Sequence, residues 1–198
     1  IHIDVPDTLE AMILLFIFAA EILGEIQSYY LVFPFWDTML HTANGFLSAA
    51  IGLSLIDILN KHDRFSISLS PFFVALVAFC FSMTIGVLWE IFEFGMDRLL
   101  AFDMQKDTYI NQINTVLLNP NGENVPIHIV IGEVSVNEQP WPAYIDIGLL
   151  DTMKDLIVNL IGAALFSVFG YFYVKRRGKS HIVHRFLLKH MEHAEHME

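Results

Sequence analysis

The chain has 198 residues, 55% of them hydrophobic, and is too apolar on average for an ordinary soluble domain. Its 22 acidic against 11 basic residues argue against nucleic acid as a partner. The single cysteine, Cys80, lies in an apolar stretch, so disulfides play no part in the fold.

The opening Ile1-His2-Ile3-Asp4-Val5-Pro6 does not read as a natural start, and the chain is taken as trimmed, with room for an earlier membrane segment. It shows neither a basic n-region nor a small-residue cleavage site before the first apolar run. A membrane span needs about 20 mostly apolar residues. Leu9–Tyr30, Asp37–Leu59, Pro71–Trp89 and Ile147–Val174 meet that requirement. The first follows Pro6, Asp7 and Thr8, a helix-start pattern.

Basic residues set the expected orientation. Lys61 and Arg64 follow the second span, while Lys175, Arg176, Arg177, Lys179, Arg185 and Lys189 follow the fourth. Only Arg98, Lys106 and Lys154 fall elsewhere. The positive-inside rule therefore puts the post-span-two and post-span-four segments in the cytoplasm, and Val32–Phe35 and Leu100–Asp146 outside. Tyr29, Tyr30, Trp36 and Trp89 mark the outer aromatic belt.

The outer segment alternates in Asn114–Leu118 and Ile127–Val136 around Asn119-Pro120-Asn121-Gly122, which predicts a small β-hairpin cap. His181–Glu198 predicts an amphipathic helix at the inner surface. Five of the nine histidines lie there: His181, His184, His190, His193 and His196. The predicted fold is an all-α, polytopic transmembrane bundle of about four spans. Its parts are residues 1–99 (spans one to three), 100–146 (cap), 147–174 (span four) and 175–198 (cytoplasmic tail).

Each span carries carboxylates near the same, outer end. Glu21 and Glu25 lie four apart, as do Asp37 and His41. Glu90 and Glu93 lie three apart, with Asp97 beyond, and Asp151, Asp155 and Asn159 recur every four residues. Such spacing puts each set on one helix face. A polar stripe on a membrane helix must face the bundle interior or water. At a rise of about 1.5 Å per residue, Glu21 lies deepest, so the predicted site is a cup opening outward.

Each acid also has a plainer reading. Asp151 and Asp155 suit a helix N-terminus, Asp37 can cap its own helix, and Asp97 beside Arg98 can be solvated at the interface. Glu21, Glu25, Glu90 and Glu93 are far from helix N-termini and escape that explanation. So many like charges call for raised pKa values or a bound cation.

Oxygen-rich ligation with one imidazole suits Mg, Mn, Ca or ferrous iron better than Zn or Cu. A ferritin-like di-iron site would need two Glu-x-x-His motifs, where this chain has Glu-x-x-Glu. In the leading assignment Glu90, Glu93, Asp151 and Asp155 hold the metal. His41, oriented by Asp37, is the general base, and Glu21, Glu25, Asp97 and Asn159 line the pocket. The substrate would be lipid-linked or part of the envelope. A cation or proton transporter using the same acids, and a scaffold binding a partner through its cap, are the alternatives.

Phe35-Trp36-Asp37-Thr38-Met39-Leu40-His41, Trp89-Glu90-Ile91-Phe92-Glu93 and Asp151-Thr152-Met153-Lys154-Asp155, with Gly45, Asn159 and Gly162, resemble the YjdF-like family of bacterial inner-membrane proteins across about residues 33–174. The order of these polar groups is more loosely similar to VanZ-like proteins. The resemblance implies a bacterial membrane location and supplies no reaction.

Overall fold

The computed structural model describes residues 3–61, 69–176, 186 and 189–190. The protein is mostly helical, with three helices long and apolar enough to cross a membrane and several short antiparallel strand pairs. It divides into two compact units, Ile1–Ile91 with Lys154–Glu198, and Phe92–Met153.

In the first unit, strand β1 (Ile3–Asp4) precedes helix α1 (Asp7–Ile17), which starts just past Pro6 as the sequence predicts. α1 runs directly into a π-helix, Phe18–Ile26. Ser28 then adopts a left-handed conformation (φ 57°) and the short helix α2 (Tyr29–Val32) follows. The expected span Leu9–Tyr30 is thus built from α, π and left-handed pieces rather than one α-helix. The Trp36 indole N–H donates to the Ala19 carbonyl at 3.2 Å, inside the π-helical stretch.

The three spanning helices are α3 (Trp36–Lys61), α4 (Pro71–Leu100) and α5 (Leu149–Lys175). On α4 and α5 the amphipathicity is inverted. On α5 the buried positions are Asp155, Asn159, Gly162, Ala163, Phe166, Ser167, Gly170 and Tyr173, while Ile157, Leu160, Ile161, Leu165, Val168 and Phe169 are exposed. On α4, Val74, Ala78, Ser82, Gly86 and Glu90 form a buried stripe every four residues. Lipid replaces water as the solvent, so large apolar groups face out and small or polar ones face in.

Small residues let these helices approach closely. A Cβ on Gly45 would overlap the Asn159 carbonyl, and one on Gly162 would overlap the Thr42 carbonyl. Further along, Gly170 abuts Leu53. The facing pairs His41–Asp155, Asn44–Asn159, Phe46–Phe166 and Leu53–Gly170 rise together, so α3 and α5 run parallel and end together at Lys61 and Lys175. The apolar core of Ala49, Ala50, Leu53, Val74, Ala78, Phe166 and Tyr173 lies toward the Lys61 end of this crossing.

The second unit carries the strands. β2 (Tyr109–Ile110) pairs with β7 (Tyr144–Ile145) and encloses two hairpins, β3 (Gln112–Thr115) with β4 (Ile127–Val130), and β5 (Val134–Val136) with β6 (Gln139–Trp141). The predicted hairpin is present, with Ile113 opposite Ile129, but it ends earlier. Thr115 Oγ1 takes the Leu117 N–H, and Asn119 Oδ1 takes that of Asn121, so local side-chain acceptors replace the ladder. The second hairpin turns at Asn137 and Glu138, both at positive φ (52° and 65°), the signature of a two-residue primed turn.

Strand β8 (Lys189–His190) pairs with β1, so the chain is extended there rather than helical. Phe186 packs on Phe46 and Phe166 of the core, with ring centroids 5.6 and 6.1 Å apart. The rest of the predicted C-terminal helix, with His181, His184, His193 and His196, lies outside the described residues.

Candidate metal centre

The α3–α5 crossing positions the first unit's polar cluster. His41 lies one turn before Gly45 on α3, and Asp155 one turn before Asn159 on α5, so close contact at Gly45–Asn159 brings His41 and Asp155 together. Asp37, one turn before His41, joins them. His41 Nε2 lies 3.3 Å from Asp37 Oδ1 and 3.8 Å from Asp155 Oδ2. Its other ring nitrogen, Nδ1, lies 3.7 Å from Glu90 Oε1 on α4. His41, Glu90 and Asp155 are buried, Asp155 to 1% exposure, and Asp37 is half-buried.

Asp37, His41 and Asp155 each offer a ligand atom, and these atoms lie within 4.8 Å of one another. A hard cation with oxygen ligands at about 2.0–2.6 Å needs donors spaced in this way. Lys154 supplies the local positive charge: its Nζ is 2.8 Å from Asp37 Oδ2 and 3.4 Å from Asp155 Oδ1. Among the described residues, one ammonium among three carboxylates and an imidazole leaves the cluster rich in negative charge.

A buried amide network continues inward. Asn44 Nδ2 donates to Asn159 Oδ1 at 3.2 Å, and Ser48 Oγ to Asn44 Oδ1 at 3.4 Å. Ser82 Oγ donates to the Gly45 carbonyl at 2.7 Å, and Asn159 Nδ2 to the Ser82 carbonyl at 3.5 Å. Asn159 therefore ties all three spanning helices together. Ser82 carries no sequence signal, being one serine in an apolar helix. Gly86 is explained only by the fold: a Cβ there would fall 2.6 Å from Asn159 Nδ2.

The other expected site residues are placed as follows. Glu93 lies three residues beyond Glu90 on α4 and is buried. Glu21 and Glu25 are exposed on the π-helix, so burial does not gather them with His41.

In the second unit, Asp97 accepts the backbone N–H groups of Met104 and Gln105 at 2.6 and 2.9 Å, and Asp151 that of Lys106 at 2.8 Å. Asp146, missed in the sequence, is buried and accepts from Thr108, Gly148 and Leu150. Burial pushes its carboxyl upward, but the backbone donors outweigh this and hold it below the usual carboxylate range. Carboxylates thus form a collar around residues 104–108.

The inverted spanning helices define a polytopic membrane protein in contact with lipid. The chain belongs to the family described as "Predicted membrane protein (DUF2238)", which it matches over residues 1–176. It is similar to an uncharacterized protein of Thermotoga maritima, 31% identical over 120 residues, or 59% of this chain and 60% of that relative. The chain spans about 60% of that relative's length. No solved structure matches it.

Proposed function

We propose that the protein is a four-span, bacterial inner-membrane protein whose Asp37–His41–Glu90–Asp155 cluster binds one divalent cation and acts with it on a lipid-linked or envelope substrate. The observation carrying this reading is the approach of the Asp37, His41 and Asp155 ligand atoms to within 4.8 Å of one another in a buried setting. Mg, Mn, Ca or ferrous iron suits the donor set. In this reading His41 is a ligand rather than the general base, since the imidazole lone pair that would take a proton is on the ion.

The helical run from Asp7 to Ile26 supplies the fourth span, with Leu14, Leu15, Phe18 and Ile26 exposed to lipid. Parallel α3 and α5 end at Lys61 and Lys175, which supports a cytoplasmic side opposite the cluster and a cytoplasmic C-terminus. The YjdF-like resemblance agrees with this location. Metal analysis of the purified protein tests the reading, with a divalent ion expected in wild type and depleted in Glu90→Gln and Asp155→Asn. Wild type purified without chelator yet free of divalent metal counts against it.

A second reading, a cation or proton transporter, is favoured by the Asn44–Ser48–Asn159–Ser82 network, which extends the polar path inward from the acids. It predicts cation or proton flux in proteoliposomes, lost in Asn159→Leu.

A further inference from the structure

The Lys154 ammonium stands on two of the four groups that would ligate the metal. It is 2.8 Å from Asp37 Oδ2 and 3.4 Å from Asp155 Oδ1. A divalent ion bound to the same two carboxylates, at about 2.0–2.6 Å, would meet the ammonium at close range. Two cations cannot share those oxygens without strong repulsion in a partly dry site.

The two sides of the cluster differ in their freedom to respond. His41, Glu90 and Asp155 are buried on packed helices, whereas the Lys154 side chain is 42% exposed on a flexible four-carbon stem. The ammonium can therefore leave for water while the ligands stay in place.

We infer that Lys154 is a tethered counter-ion that occupies the cation position in the metal-free protein and exchanges with the metal, so that it sets the site's affinity. This rests on the metal reading above. Without metal, Lys154 offsets part of the carboxylate repulsion and keeps the cluster assembled. With metal, it swings outward, and every binding event includes the loss of its contacts with Asp37 and Asp155. The device weakens binding and makes loading reversible.

The test uses the full chain in detergent, with Mn2+ as the probe and binding read by electron paramagnetic resonance. Lys154→Gln should bind Mn2+ about tenfold more tightly than wild type, because the competing charge is gone. Lys154→Arg, which keeps the charge, should stay near wild type. A second measurement needs no variant: acylation of the Lys154 amine in wild type should speed up severalfold on adding Mn2+, with Lys106 as the internal standard. Equal Mn2+ affinity in wild type and Lys154→Gln, or acylation indifferent to Mn2+, overturns the exchange and leaves the metal site standing. Weaker binding in Lys154→Gln also overturns it. Wild type and Lys154→Gln that both fail to bind Mn2+ overturn the metal reading, and the exchange with it. A Lys154→Gln protein that does not fold leaves the acylation result to decide.

Discussion

Gly45 and Asn159 meet backbone to backbone: an added Cβ on Gly45 would collide with the Asn159 carbonyl oxygen. Neither group is a flexible side-chain end, so the clash is relieved only by separating α3 from α5. His41 and Asp155 each lie one turn away, so separation would also open the cluster. Gly45→Ala and Gly162→Ala should each lower stability in detergent by about 1–3 kcal/mol or more, as overpacking does. Gly95→Ala, with open space around its Cβ, should be neutral or gain about 0.5–1 kcal/mol from helix entropy. Thermal unfolding of the three variants checks the ranking, and a neutral Gly45→Ala would contradict the crossing.

The collar in the second unit predicts a pH response. Asp146 has a folded-state pKa below its unfolded value of about 3.9, so its contribution is present above that pH. It is lost as pH falls through the folded value, when protonation removes the acceptor for Thr108, Gly148 and Leu150. Hydrogen exchange at the amides of Thr108 and Leu150 should therefore become less protected at acid pH. Asp146→Ala should lose that protection even at neutral pH, at a cost of about 1–3 kcal/mol for the unsatisfied donors.

Hydropathy made the three long spans legible, and helical spacing the Asp37–His41 contact. Both signals are local, and a membrane helix with an inward polar stripe leaves them intact. Spacing cannot report which stripes meet. Asp97 and Asp151 carry the same residue type and period as Asp155, yet they accept backbone N–H groups of residues 104–106, a contact fixed by the path of a loop. The seat of Lys154 between Asp37 and Asp155 depends on the α3–α5 register. The nine-residue π-helix left no periodic mark, because two slightly wider turns shift an apolar pattern too little to register in a mostly apolar stretch.

Orientation can be read chemically. In a Cys80→Ser background, Asn121→Cys, at the hairpin turn, should react with a membrane-impermeant thiol reagent in intact cells. Ser180→Cys should react only after lysis. Labelling of Ser180→Cys from outside would reverse the orientation.

The densest test of the cluster is its response to metal. Asp37, Glu90 and Asp155 surround His41 with the Lys154 ammonium nearby, and like charges at such range repel strongly where water is excluded. A ligand that binds only the folded state raises stability by mass action, by about 2.7 kcal/mol at a hundred times its dissociation constant. Added Mn, Mg or Ca should therefore raise the unfolding temperature in detergent, and chelator should lower it. Glu90→Gln and Asp155→Asn should flatten that response. His128→Ala, on the hairpin of the other unit and bonded there to Asn114, should keep it. A melting curve indifferent to both metal and chelator would leave protonated carboxylates to relieve the repulsion. That result would shift the assignment toward proton movement along the Asn44–Asn159 path.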